Sequence, residues 1–257
     1  MTQLSDLTRE QHVQTVLRVA DTSLILGQRL SEWCGHGPIL EEDIAITNIA
    51  LDLVGQARLL LTHAGRIEGQ GRDEDQLAFL RDENAFRNLS IVELPNRDFA
   101  RTMLRNFLIA AWQDALWRAL AASSEAELAA IAAKSAKETR YHLQHAGDWV
   151  IRLGDGTAES KRRVQRALDD LWLYTAEFFA DDDLDRAAAE AGLAPLPSSL
   201  AAGWEATVLP VLAEATLTVP KRGPFMSYGR IGRHTEHLGH LLAPMQAMQR
   251  AHPGCQW

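Results

Sequence analysis

Residues Lys137 to Trp149 read KETRYHLQHAGDW, the stretch of this chain whose residue types come closest to a chemistry. On a helix, residues three or four apart share a face. Ser135, Glu138, Thr139, His142, Ala146 and Trp149 therefore form one stripe, which carries a carboxylate and an imidazole. Di-iron carboxylate bundles place a Glu-x-x-His pair on each of two helices, opposed by a single Glu from each of the other two, all projecting into the bundle core. Here the residue three after Glu138 is Tyr141, and His142 comes one place late.

Three further acids lie on or beside apolar helical stripes, namely Asp21, Asp52 and Asp114. Together with Glu138 they would bring one carboxylate from each of four helices, the outline of a di-iron or di-manganese oxidase site with His142 as its imidazole. The detail opposes that outline. Asp52 is followed at plus three by Gly55 and at plus four by Gln56, so the second imidazole is missing. Asp114 and Asp21 are also a methylene shorter than the usual Glu, which changes their reach across a bundle. The competing reading makes all four positions a degenerate metal site, with the acids as buried polar groups paired to Arg58, Lys137, Arg140, Gln28 or Gln56. Burial of a carboxylate requires such partners.

Two other clusters hold chemistry-bearing types. His234, His237 and His240 with Glu236 would share one face of a helix, which suits a metal or equally a helix start capped by Thr235 and Glu236. Zinc wants a further ligand from elsewhere, and none is apparent. Lys221, Arg222, Arg230 and Arg233 form the one basic patch legible in the sequence, open to a phosphate-bearing ligand, an acidic partner or plain solvent. No dinucleotide fingerprint, P-loop or nucleophile elbow is present. Cys34 and Cys255 match no ligand or redox spacing.

The elements that must position these groups are helices. Apolar or small residues recur at three and four from Arg9 to Cys34, and again along Ile46, Ile49, Ala50, Leu53, Val54, Ala57, Leu60 and Leu61. Glu41, Glu42 and Asp43 suit the positive end of this second helix. Leu77 to Pro95 is too irregular for a long helix and predicts a short turn with a wrapped connection. Asn96 or Asp98 predicts the cap of a third helix, and Ser124 with Glu127 a capping box for the fourth, which should close at Gly154 and Gly156. Further helices are expected over about 160–179, 185–191, 198–217 and 234–250. No strand-length alternation occurs. The expected class is all-α, a single domain over residues 1–257 with a four-helix bundle built from the first four long helices and additional C-terminal helices beside it.

The 257 residues are 46% hydrophobic and 23% charged, with a formal net charge of −8. That composition allows one large core. The charge argues against nucleic acid as a partner, which would want clustered Lys and Arg. With neither a long uninterrupted apolar run nor a signal-peptide pattern, the expectation is no membrane and a cytoplasmic location.

Four stretches, LGQRLSEWCGHGPILEEDIAITNIALDLVGQARLLL, LAFLRDENAFRNLSIVELPNRDFA, AKETRYHLQHAGDWVIRLGDGT and GRHTEHLGHLLAPMQ, resemble the C subunits of bacterial phenylacetyl-CoA 1,2-epoxidases, the multicomponent monooxygenases of phenylacetate degradation. The resemblance runs from about residue 12 to Trp257. It implies a ferritin-like bundle, a metal-free role in this chain, and pairing with a homologous catalytic A subunit that carries the di-iron centre. Other subunits, including the reductase, would supply reducing equivalents from NADPH. It also implies that phenylacetyl-CoA approaches the subunit interface, with Leu80, Arg81, Asp82, Glu83, Asp181, Asp182 and Asp183 at the matching positions. An acid triad repels phosphates, so that second group could touch CoA only through backbone N–H groups or a base edge.

Overall fold

The structure is a computed structural model that describes residues 7–255. It divides into two compact units. One comprises Thr8–Pro95 with Ser227–Trp257, and the other is built mainly from Asn96–Met226. The expected all-α class stands, since the described residues form no strand and contain only an isolated bridge between Tyr228 and Arg233.

In the first unit α1 (Arg9–Ser31) and α2 (Leu40–Glu68) form an antiparallel hairpin. Thr8 and Gln11 close a capping box at the start of α1. An ideal Cβ on Gly27 would sit 3.2 Å from Val54 Cγ2 and 3.3 Å from the Ala50 carbonyl, so glycine lets the two helices approach closely. The predicted stripe of α2 is buried from Ile46 to Leu61 except at Val54, which is exposed. Val54 belongs with Leu40, Ile44 and Leu51 to a second, outward apolar face at spacings of four, seven and three. Leu40 is 72% and Leu51 63% exposed. By length and composition α2 could cross a membrane, with a mean hydropathy of 1.4 over its most apolar window, of which 44% is buried.

The wrapped connection expected over 77–95 contains α3 (Glu74–Phe79) and 3-10 turns at Glu83–Ala85 and Ser90–Glu93. It buries Leu77, Phe86, Leu89, Ile91, Val92 and Leu94, and thus contributes core. The last helix of this unit, designated α9, spans Glu236–Ala251.

In the second unit α4 (Phe99–Leu120) and α5 (Ala126–Gly154) make the other long hairpin, joined by α6 (Ala158–Leu171), α7 (Asp183–Glu190) and α8 (Ala201–Glu214). Asp98 caps α4, accepting from the Arg101 N–H at 2.9 Å. The capping box expected at Ser124 is not formed. Ser123 and Ser124 donate their hydroxyls to the carbonyls of Leu193 and Ala191, and Glu125 caps α5 with its own carboxylate. The helix expected over 160–179 stops at Leu171 and tightens into a 3-10 segment, Trp172–Phe179. Its rings gather around Trp204, whose indole N–H donates to the Leu108 carbonyl at 3.0 Å. Gly154 ends α5 where a Cβ would fall 2.1 Å from the Ala215 carbonyl oxygen.

Candidate functional site

Three of the carboxylates singled out by their positions, Asp21, Asp114 and Glu138, form ion pairs with residues other than those expected. Asp21, fully buried in α1, forms a two-pronged ion pair with the buried guanidinium of Arg81. The Arg87 backbone N–H donates to the same carboxylate at 2.8 Å. Arg81 also lies 4.3 Å from the centroid of the Phe86 ring. Burial pushes the Arg87 guanidinium below its usual range, opposed by the nearby Asp21 charge. Asp21 is therefore the counter-ion that anchors the connection after α3 onto α1.

Asp114 pairs with Arg118 one turn along α4, and Glu138 pairs with Lys134 at 3.2 Å along α5. Both partners are i,i+4 neighbours, whereas the sequence alone points to Lys137 and Arg140. Glu138 is only partly buried, contrary to its expected place among buried polar groups. His142 is buried, and Tyr141, the residue at the Glu-x-x-His position, is half exposed and stacks at 5.8 Å on His145. Asp52 is half-buried on α2.

The histidine cluster does not share one helix face. Thr235 is the N-cap of α9, so His234 lies before the helix. It serves a buried carboxylate that sequence reasoning missed. Glu93 is fully buried and accepts from His234 Nδ1 at 2.7 Å, from the Thr235 N–H and hydroxyl at 2.7 Å each, and from Asn88 Nδ2 at 2.9 Å. His234 Nε2 meets the Phe86 carbonyl at 3.0 Å, so the ring faces an acceptor on both sides and donates from both nitrogens only as an imidazolium. Arg29 adds hydrogen bonds to the Glu93 carbonyl. With its carboxylate saturated, Glu93 is a clamp that fixes the connection to the residues leading into α9.

The positions implied for a CoA ligand fall in both units. In the first, Leu80 is half exposed beside a groove of about 730 Å³ that is also lined by Asp73, Asp75 and His252. Burial, then Asp73 and Glu74, pushes the Asp75 carboxyl above its ordinary value. Asp82 and Glu83 line a hollow of about 290 Å³ with Asn84, Gly232 and His234, while Arg81 is turned inward on Asp21. In the second unit the acid triad is spent locally. Asp181 accepts from the Ser198 N–H and hydroxyl, Asp182 caps α7, and Asp183 pairs with Arg186 at 2.7 Å.

The basic patch read from the loop is also divided. Arg222 pairs with Glu205 in the second unit at 3.1 Å, whereas Arg230 and Arg233 belong to the first unit. A denser group of arginines lies in the second unit instead. Arg97, Arg101, Arg163 and Arg166 line one cleft of about 260 Å³ with Asp98 and Asp170. They come from well-separated segments, so no local signal reveals them.

A helical chain with acid-bearing hairpins and one histidine on the inward stripe of α5 has the outline of a carboxylate-bundle protein. The chain belongs to the family described as "Phenylacetic acid catabolic protein", which it matches over residues 1–257. It is 51% identical over 241 residues to the C subunit of the 1,2-phenylacetyl-CoA epoxidase of Escherichia coli (strain K12), an alignment covering 94% of this chain and 97% of that protein.

Proposed function

We propose that this chain is the non-catalytic structural subunit of a phenylacetyl-CoA 1,2-epoxidase. In this reading it pairs with and supports the di-iron catalytic A subunit in the O2- and NADPH-dependent epoxidation of the aromatic ring, in the cytoplasm. The observation that carries the reading is the state of Asp21. A metal-ligand carboxylate must present free lone pairs to the ion, and here a buried guanidinium together with the Arg87 backbone N–H takes three of the carboxylate's roughly four acceptor sites. Asp114 and Glu138 are likewise turned to Arg118 and Lys134, and plus three from Asp52 is Gly55. These residues do not fit a di-iron or di-manganese centre, which disfavours the alternative of an independent oxidase.

The outward apolar face of α2 supports the partner role, because a contiguous exposed apolar patch marks a surface that another molecule covers. The match to a protein named as one component of an epoxidase agrees with it. Approach of phenylacetyl-CoA to the interface near Leu80 and Asp82 is part of the same reading.

The test is co-expression with the catalytic A subunit of a phenylacetyl-CoA 1,2-epoxidase, followed by size exclusion and iron analysis of each chain. The two chains should co-elute, with iron confined to the partner. Close to two irons per chain in this protein purified alone would overturn the proposal. So would a catalytic subunit that is soluble and fully active by itself.

A further inference from the structure

The strongest unassigned feature is the arginine cleft of the second unit. Its walls are Arg97 before α4, Arg101 in the first turn of α4, and Arg163 and Arg166 on α6. Against these four guanidinium groups stand two carboxylates, Asp98 and Asp170, in a chain whose formal net charge is −8. Both carboxylates are committed. Asp98 accepts from the Arg101 backbone N–H as the cap of α4, and Asp170 is shared between Arg101 at 3.0 Å and Arg97 at 3.4 Å. Arg163 shares Glu159 with Arg162. Arg166 makes no ion pair among the described residues.

Arg101 is the distinctive member. It is only 6% exposed, yet its Nε–H has no acceptor among the described residues. Burial, and then repulsion from Arg97, lowers its hold on the proton, with Asp170 acting the other way. Crowding like charges around a buried guanidinium is unfavourable unless an anion joins them. Arg97 moreover sits at φ +58°, a conformation that non-glycine residues rarely adopt and that turns up at ligand sites.

We propose that this cleft is a binding site for a phosphate group, held between the guanidinium groups of Arg97, Arg101 and Arg166. The planar guanidinium fork matches phosphate oxygens two at a time, which a carboxylate-poor cleft of this kind leaves available. A volume of about 260 Å³ falls below the roughly 300–1,000 Å³ usual for whole small-molecule ligands. The cleft thus takes a phosphate head, either free phosphate or the terminal phosphate of a larger ligand that extends into solvent. Phosphate binding here is independent of the subunit role and does not rest on it.

The test is titration calorimetry of the full-length protein with inorganic phosphate and, separately, with adenosine 5′-monophosphate, at ionic strength fixed with chloride. Saturable binding is expected, weakened about tenfold for each of Arg97→Ala and Arg166→Ala. Both residues are exposed, so the fold should survive, as circular dichroism would verify. Arg140→Ala, on the exposed face of α5, should leave affinity unchanged. Tighter, Arg166-dependent binding of the nucleotide would identify a tethered phosphate as the ligand, and equal or weaker binding would identify the free anion. The proposal is overturned if neither probe saturates, if the variant carrying both Arg97→Ala and Arg166→Ala binds as wild type does, or if Arg140→Ala weakens binding as much as Arg166→Ala.

Discussion

The carboxylate of Asp21 is held at both oxygens by the guanidinium of Arg81, a residue 60 positions further along the chain, and both side chains are buried. The pair ties α1 to the connection after α3, so its rupture should cost the fold rather than a chemical step. Removing one partner of a buried pair leaves the other charge uncompensated, at about 3–5 kcal/mol. Arg81→Ala should therefore lower the midpoint of chemical denaturation sharply. The double substitution Asp21→Leu with Arg81→Met should recover much of the loss. If Arg81→Ala unfolds at the wild-type midpoint, the pair has no anchoring role.

Glu93 predicts a comparable sensitivity at the second anchor. Its side chain draws on His234, Thr235 and Asn88 together, so Glu93→Ala strands several buried donors. Each unsatisfied buried donor costs about 1–3 kcal/mol. Glu93→Gln keeps the shape but offers a single acceptor oxygen, so it should fall between wild type and Glu93→Ala in thermal melting. Hydrogen exchange should report the loss first around Gly229, whose N–H donates to Ser90 at 3.1 Å. An unchanged melting temperature for Glu93→Ala would contradict the clamp.

The helices were legible in the sequence because their evidence is local. The apolar spacing of α1 and α2, the Asp98 cap and the end of α5 at Gly154 all lie within a few residues of what they determine. Of the hydroxyl caps expected, that of Thr235 is formed and that of Ser124 is not. Ser124 looks like a cap until Ala191 is near enough to accept its proton, and that contact spans 67 positions. The partners of the acids failed for the same reason. Arg81 reaches Asp21 only after the chain wraps, while the local helix geometry picks Arg118 and Lys134 over the nearer neighbours in sequence. Glu93 sits in the apolar run SIVELP, where nothing adjacent announces that His234 and Thr235 will meet it.

Asp43 carries the clearest pH prediction. Its carboxylate accepts from the backbone N–H of Gly37 at 2.8 Å and of Gly35 at 3.2 Å, closing the turn between α1 and α2. Those bonds, that from Gly37 foremost, hold its pKa below the ordinary carboxylate value of 3.8. A folded value below the unfolded one means the stabilisation is complete above the unfolded value and is lost as the pH falls through the folded one. Asp43→Asn should thus be less stable than wild type at neutral pH, and the gap should close below about pH 4. Paired urea melts from neutral to acidic pH measure it, and a gap independent of pH would show that the charge plays no part.

The outward face of α2 yields the last prediction. Leu40, Ile44 and Leu51 are exposed away from the stripe that packs on α1 and add little to this unit's core, while Val54 lies at the edge of that face, near Gly27 of α1. Changing the first three should leave the isolated chain within about 0.5 kcal/mol of wild-type stability, as is usual for surface positions. Their burial by a partner is another matter, since a fully covered leucine or isoleucine is worth about 1.5–3 kcal/mol. The double substitution Ile44→Glu with Leu51→Glu forfeits both side chains and asks the interface to bury two charges. Affinity for the catalytic subunit should then drop by more than about a hundredfold, at 1.4 kcal/mol per tenfold. Surface-captured catalytic subunit titrated with each variant gives that ratio directly, and flotation of the wild-type chain with phospholipid vesicles tests a lipid surface in place of a protein. Retained affinity in the double variant would remove α2 from the interface, and flotation abolished by the same substitutions would assign its apolar face to a membrane.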